Sequence, residues 1–326
     1  MSSTPDVSVV MGVYNGADTL DETMQSILTQ EGVDFEFIVV DDGSMDSSSE
    51  ILDGYARRDA RVRVLHQDNA GLTHSLISGC AAARGQYIAR QDAGDRSLPE
   101  RLKLQKALLD EHDDCVLVSC WTSWVGPNGE ELFVTKGRGS TCQPTDIIAP
   151  TETWGTRDGP TSHPSVMFRR SVYEMVGGYR SAFRFGQDWD LWYRLAERGK
   201  FATIEQSLVQ CLISSGSISS VKRDQQARYA KLSHKALLVR LLGNSESEVL
   251  EEAKRLGTTE SLTPISDCGS SLYFIGKCLL DNNDGRATSY FLSAIASNPF
   301  LWRAWWWAAI SLIRHPTSAF HDRRAR

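Results

Sequence analysis

Short apolar runs alternate with helical patterns along the first part of the chain. The run Val7–Val13 and another at residues 37–40 are bounded by turn residues, which predicts two buried strands. Between them Leu20, Met24, Ile27 and Leu28 keep helical spacing behind the candidate caps Asp18 and Thr19, so one strand-helix-strand unit is complete. The pattern then repeats. Ile51, Leu52 and Tyr55 mark a helix, residues 62–65 a strand, an Ala-rich stretch ending at Gly85 a helix, and residues 87–89 a strand. Pro99 suits the first turn of a further helix carrying Leu102 and Leu109, and residues 115–119 form the next strand. This alternation predicts an α/β fold with a mostly parallel central sheet flanked by helices.

Periodicity fades over residues 125–165, which are rich in Gly, Pro and Thr and read as loops and edge strands beside a binding cleft. It returns at residues 189–196, where Trp192, Leu195 and Ala196 share an inward face. From about residue 225 the pattern is helical, with breaks at Gly243, Gly257, Pro264, residues 282–285 and Pro299. A boundary near Ser220 separates a domain at 1–220 from a C-terminal all-helical extension at 221–326.

A chain of 326 residues exceeds the size at which one core usually stops growing, which agrees with two domains. The formal net charge of −6 gives no global basic field, and nucleic acid is excluded as the expected partner. The seven cysteines are odd in number and contain no C-x-x-C pair. They read as reduced thiols of a cytoplasmic protein rather than a disulfide framework or zinc site. No basic residue precedes the first apolar run, so a secretory signal is not expected. The apolar stretch 301–313 is interrupted by Arg303 and is shorter than the roughly 20 residues a membrane span needs.

Three polar clusters follow predicted strands, where open α/β sheets collect ligands: GVYNG, VVDDGS and ARQDAGD. Neither a Gly-x-Gly-x-x-Gly turn nor a Walker loop is present, which argues against a dinucleotide dehydrogenase or a P-loop enzyme. Tyr14 offers a ring to stack on a base, and Asp42 could accept from base N–H groups; alternatively Asp41 and Asp42 open a turn with Gly43 and cap the next helix. Asp92 and Asp95 could hold a divalent metal against a diphosphate if Gly94 makes the turn their spacing requires, or could belong to a solvated turn. Asp188 and Asp190 begin a helix, where a carboxylate is either a cap or, beside Trp189, a general base for a sugar hydroxyl.

In this order, VSVVMGVYNG, FIVVDDGSMDSS, NAGLTHSL, GQYIARQDAGDRSLPERL, HPSVMFRRSVYEMVGGYR and GQDWDLWYRLAERG resemble family 2 glycosyltransferases, over about residues 7–220. The resemblance implies a GT-A type fold and an inverting transferase that uses a nucleotide sugar, with a UDP-sugar favoured. It implies donor contacts from Tyr14, Asp42, Asn69, Gly71, Arg90 and Asp92, and a DXD-like metal motif in which Asp92 and Asp95 bind Mg2+ or Mn2+. It also implies a catalytic base at Asp188, with His163 and Trp189 on the acceptor side. Gln187 stands where Glu is commoner. Gly94 replaces a carboxylate in the relatives' Asp-Ala-Asp-Asp, which puts the metal site in question.

The implied acceptor is a glycan or lipid-linked acceptor in polysaccharide or glycoconjugate biosynthesis. The alternative, motivated by Gly94, is a degenerate sugar-nucleotide-binding or scaffolding protein. A sugar-phosphate nucleotidyltransferase ranks third, since no Gly-rich basic loop for a triphosphate opens the chain. The C-terminal third is similar to about one unit of a tetratricopeptide-like repeat, too little to stand alone. Its Trp305, Trp306 and Trp307 run, with Arg314 and the tail HDRRAR, reads either as a core helix with a solvated basic end or as a peripheral contact with a membrane or a protein.

Overall fold

The computed structural model describes residues 4–137, 156–157, 159–213, 223–259 and 268–315. Cys142, the Ser220 boundary and the tail HDRRAR lie outside them. The first elements are β1 (Val7–Val13), α1 (Ala17–Leu28), β2 (Phe35–Asp41), α2 (Ser48–Arg58), β3 (Val62–His66), α3 (Leu72–Ala81) and β4 (Tyr87–Arg90). There follow β5 (Arg96–Ser97), α4 (Arg101–Glu111), β6 (Cys115–Val125), β7 (Glu131–Gly137), β8 (Thr156–Arg157), β9 (Met167–Arg169), α5 (Arg170–Met175), α6 (Gln187–Ala196) and β10 (Lys200–Leu212). The remaining helices are α7 (Arg223–Leu241), α8 (Ser247–Thr259), α9 (Cys268–Asp281), α10 (Ala287–Ser297) and α11 (Trp302–Arg314).

The sheet runs β3-β2-β1-β4-β9-β6-β10-β5. β3, β2, β1 and β4 are parallel neighbours, whereas β9 pairs antiparallel with both β4 and β6, and β5 antiparallel with β10. Strand alternation divides β1 between two cores. Val7, Val9, Met11 and Val13 join Leu20, Met24, Ile27, Leu52, Leu102 and Leu109 on one face. Val10 joins Ile38, Leu76, Ile88, Leu191, Trp192 and Leu195 on the other. Each such fully buried aliphatic side chain contributes about 1.5–3 kcal/mol relative to exposure, so helices on both faces fix the register of the parallel strands.

Two local expectations change. Pro99 precedes α4 rather than opening it, because Glu100 takes the cap position with φ +67°. Gly16, not Asp18 or Thr19, caps α1, and the first N–H groups there are satisfied by the loop after β2: Gly16 N donates to Ser48 Oγ at 2.9 Å and Ala17 N to Asp46 Oδ2 at 3.1 Å.

The chain forms two compact units. One contains the sheet and helices α1–α6 together with α7 and α8. These last two belong to it because Tyr229, Leu232, Ala236, Val249 and Ala253 pack with Ala182 and Phe183. The other unit combines residues 123–133 with α9, α10 and α11. Leu132 there is buried among Ile275, Leu279, Tyr290, Phe291, Ala304 and Ala308. Asn282 Nδ2 donates to Leu132 O at 2.8 Å, and Tyr290 hydroxyl donates to Glu130 Oε1 at 2.6 Å. No described helix is long and apolar enough to cross a membrane.

Candidate active site

The strand order reverses at β1, so the carboxyl ends of β1, β2 and β4 open the crevice where ligands of such sheets gather. Past β1, Tyr14 stands 47% exposed. Asn15 takes a left-handed φ of +51° and is held from both ends: its N donates to Ser44 Oγ at 3.0 Å, and its Oδ1 accepts from Met45 N at 2.8 Å. The β1 and β2 loops therefore brace each other and leave the Tyr14 ring presented to solvent.

The two acids after β2 divide their work. Buried Asp41 accepts from Ser44 N at 3.1 Å and Ser49 Oγ at 2.5 Å and lies 3.0 Å from His66 Nδ1. Burial alone would raise its pKa, but the Ser44, Ser49 and His66 hydrogen bonds together hold it below the usual range. His66 also meets Asp53 at 3.1 Å, and bonds to Asp41 and then Asp53 push its pKa up. Asp42 accepts from Gln67 Nε2 at 2.6 Å, Ala70 N at 2.9 Å and Gly71 N at 2.8 Å. It thereby fixes the loop carrying Asn69 and Gly71. Gly43, directly after Asp42, has φ +73°, and a Cβ there would meet Asn69 N at 2.9 Å.

At the end of β4, fully buried Arg90 donates through Nη1 to Val10 O at 3.2 Å and through Nη2 to Asp92 Oδ1. Its Nε has no hydrogen-bond partner among the described residues. The Asp92 side chain is 30% exposed. Asp95 N donates to Asp92 O at 3.2 Å, closing a turn with Gly94 at φ +92°, the position that favours glycine in a type II turn. Asp95 is buried, and its charge bears on Arg101 and helps raise the Cys211 thiol pKa, which burial already pushes well up. Asp92 and Asp95 thus present themselves differently.

Among the described residues no group of three or more His, Cys, Asp or Glu side chains is assembled for a metal. One carboxylate at a diphosphate site still suits Mg2+ or Mn2+, which usually take one or two protein carboxylates and complete their shell with phosphate oxygens and water. Asp92 fits that part.

The helix α6 carries two further acids with opposite surroundings. Asp190 is buried and accepts from Arg180 Nε at 2.9 Å, from Arg180 Nη2, and from Arg194 Nη2 at 2.7 Å. Arg180 continues to Glu246 at 2.6 Å, and Arg240 joins Glu246 to Glu197. This network makes Asp190 structural. Asp188 is half-buried, its Oδ1 accepts from Trp189 N at 2.9 Å, and its charge acts on the hydroxyls of Tyr179 and Tyr193. Trp189 packs on Trp192, with ring centroids 5.2 Å apart.

His163 Nε2 lies 2.8 Å from Tyr179 hydroxyl. Burial, and then the Arg90 charge, hold the imidazole well below its ordinary pKa, while burial raises the Tyr179 phenol. The pair is neutral at neutral pH, and it lies within reach of the charges of both Arg90 and Asp188. No sequence pattern marks Tyr179, although it sits in the GGYR run at residues 177–180. Arg101 is likewise unmarked. It is fully buried, donates to Ser97 Oγ at 2.7 Å, Arg90 O at 2.8 Å and Gln91 Oε1 at 3.1 Å, and its pKa, lowered by burial to about 10, leaves it charged. A basic residue two positions after Pro99 reads as helix surface, and only the fold shows that it braces the β4 end.

A family model described as glycosyl transferase family 2 matches residues 8–176, just over half of the chain. The Bacillus subtilis (strain 168) protein EpsE, which carries a glycosyltransferase name, is 36% identical over 204 residues, covering 61% of this chain and 69% of its own. Among solved structures, S. aureus TarS 1–349 in complex with UDP-GlcNAc superposes with a TM-score of 0.58 at 16% identity, covering 94% of this chain and 88% of that one. The mannosyltransferase PcManGT from Pyrobaculum calidifontis, in complex with GDP-Man and Mn2+, gives a TM-score of 0.56 at 16% identity, covering 99% and 89%. At that identity the two structures establish a shared GT-A type fold.

Proposed function

The chain belongs to glycosyl transferase family 2, and from that premise we propose that it is an inverting transferase moving one hexose-type sugar from a nucleotide sugar to a glycan or lipid-linked acceptor. The observation that carries the reading is the contrast on α6: Asp190 is closed between two arginines, and Asp188 stands half-buried one turn from Trp192 beside Trp189. Asp188 takes the proton from an acceptor hydroxyl as that oxygen attacks the anomeric carbon. The bond from that carbon to the diphosphate oxygen breaks, configuration inverts, and the nucleoside diphosphate leaves with the electron pair.

On the donor side Tyr14 stacks on the base. Asp42 contacts the base edge with its remaining lone pairs and, by holding the loop, sets Asn69 and Gly71 beside ribose and phosphates. Arg90 supplies a fixed positive charge toward the diphosphate through its unpaired Nε. Asp92 would hold a Mg2+ or Mn2+ ion together with diphosphate oxygens, and such an ion supplies neutralisation of the leaving group's charge. Asp95, turned toward Cys211, supports the turn and offers a second carboxylate only on rearrangement. His163 and Trp189 line the acceptor side.

A UDP-sugar is the favoured donor, supported by the likeness to TarS with UDP-GlcNAc, while the likeness to PcManGT with GDP-Man keeps GDP in the panel. The proposed enzyme acts in the cytoplasm, in polysaccharide or glycoconjugate synthesis, with residues 1–220 as its catalytic sequence. Gly94 favours one second reading, a sugar-nucleotide-binding protein without turnover. A panel of UDP- and GDP-sugars, with and without Mn2+, tests both: donor-dependent release of nucleoside diphosphate that Asp188→Asn removes supports transfer, and binding without turnover under every condition supports the second reading.

A further inference from the structure

The second compact unit ends in a helix whose outward face is almost wholly apolar. Helix α11 packs inward through Ala304, Ala308 and Ser311, and Ser311 Oγ lies 2.7 Å from Thr288 Oγ1. At about 100° per residue, Leu312, Trp305, Ala309, Trp302, Ile313 and Trp306 fall within a solvent-facing arc of about 120°, and all six are exposed. Trp302, Trp306 and Ile313 retain 69%, 63% and 81% of their surface, and Phe300, just before the helix, retains 93%. A surface helix normally turns its polar side outward. Here the fully buried contacts are small residues, Trp307 and Ile310 are partly buried against the core, and the Trp302, Trp305 and Trp306 rings face away from it.

The chemistry of the face selects its occupant. Indole is amphipathic and concentrates at the level of lipid headgroups. Arg303 and Arg314 are exposed on one flank of the arc, and no Asp or Glu occurs between residues 302 and 314. Lys277 adds a cation 3.6 Å from the Trp307 ring centroid on the same flank. In a chain of net charge −6, the only charged residues of this helix are the cations Arg303 and Arg314, set beside the most exposed aromatic surface among the described residues. A protein partner would need only the apolar arc, whereas an anionic bilayer surface uses both the arc and its cationic flank.

We propose that α11 lies in the interfacial plane of a membrane carrying anionic lipids, with Trp302, Trp306 and Ile313 inserted at headgroup level and Arg303 and Arg314 facing the lipid phosphates. The helix has 13 residues, so it rests on the bilayer and does not span it. The inference stands on the second unit alone and does not depend on transferase activity.

Flotation of the full chain with phosphatidylcholine vesicles, with or without phosphatidylglycerol, tests it, with tryptophan quenching by brominated lipid as a second readout. Wild type is expected to float with the anionic vesicles, to be quenched there, and to be released by high salt. Combined Trp302→Ser, Trp306→Ser and Ile313→Ser should reduce binding about tenfold or more, and Arg303→Glu with Arg314→Glu about tenfold. These side chains are exposed, so circular dichroism should be unchanged; if the serine variant loses helix, the charge variant carries the decision. Absence of wild-type binding to anionic vesicles, binding that both variants retain, or self-association through this face without vesicle binding would each overturn the proposal.

Discussion

Asp188 and Asp190 sit two residues apart in the first turn of α6 and do opposite things. Asp190 is closed in a buried ion-pair network, and Asp188 stands half-buried beside it with its Oδ1 accepting from Trp189 N. Asp188→Asn is therefore expected to lower turnover about 10²–10⁴-fold with donor affinity and unfolding midpoint unchanged. Asp190→Asn should cost about 3–5 kcal/mol of stability, because it leaves Arg180 and Arg194 without their shared carboxylate. Parallel urea unfolding and nucleotide-release assays separate the two, and full activity in Asp188→Asn would remove it as the base.

Asp92 is the metal-facing carboxylate in the proposed site. With Mn2+ titrated against activity, wild type should respond and Asp92→Asn should lose the response together with about 100-fold or more in kcat/KM. Its stability should fall by about 1–3 kcal/mol, since the change weakens the ion pair of a fully buried Arg90 while Asn can still accept one hydrogen bond. Metal-independent turnover by wild type would assign the charge-neutralising role to Arg90 instead.

Gly43→Ala tests whether the Asp42-held loop binds donor. Its φ of +73° and the 2.9 Å approach to Asn69 N force the loop to shift, at about 1–3 kcal/mol. Isothermal titration with the nucleotide is expected to show a weakening of about tenfold or more, with the sheet intact by circular dichroism. An unchanged affinity would take Asn69 and Gly71 out of the donor site.

The Asp41, His66 and Asp53 cluster predicts a pH dependence of stability. The folded pKa of His66 is raised above its ordinary 6.5, so its contribution is fully present below about 6.5 and is lost as pH rises through the folded value. The lowered pKa of Asp41 acts in the reverse sense, with stability present above its ordinary 3.8 and lost as pH falls through the folded value. Because His66 is half exposed, its share is under about 1 kcal/mol. Urea midpoints for wild type should fall between pH 6 and pH 8, and His66→Gln should flatten that fall.

His163, by contrast, should not titrate near neutrality. Burial and Arg90 hold its pKa well below 6.5, so its ring nitrogen resonances should stay fixed between pH 6 and pH 8. A midpoint in that interval would mean that the ring leaves its contact with Tyr179.

The parallel half of the sheet is legible because buried strands declare themselves as predominantly apolar runs: Val7–Val13 matches β1 to the residue despite Ser8, and β2 extends its expected core at residues 37–40 by two residues before and one after. The antiparallel half is not. β10 mixes Lys200, Thr203, Glu205 and Gln206 with its apolar positions, and β9 is only three residues long, so neither has a period to detect. Within the site, the strand-end acids were visible as residue types, but their division of roles was not. What separates Asp188 from Asp190, or Asp92 from Asp95, is the arginine or thiol that folding brings beside each, and Arg180, Arg194, Arg101 and Cys211 carry no mark of that in the sequence.

Residues 123–133 are cut from the middle of the sheet-bearing sequence, yet their Leu132 is buried in the same core as α9, α10 and α11. The polypeptide thus lends a hairpin forward to helices that follow it by well over a hundred positions. Those helices are not a detachable cassette: a fragment that begins after the sheet lacks part of its own interior, and recombination that exchanged C-terminal segments among relatives would have to exchange the hairpin with them.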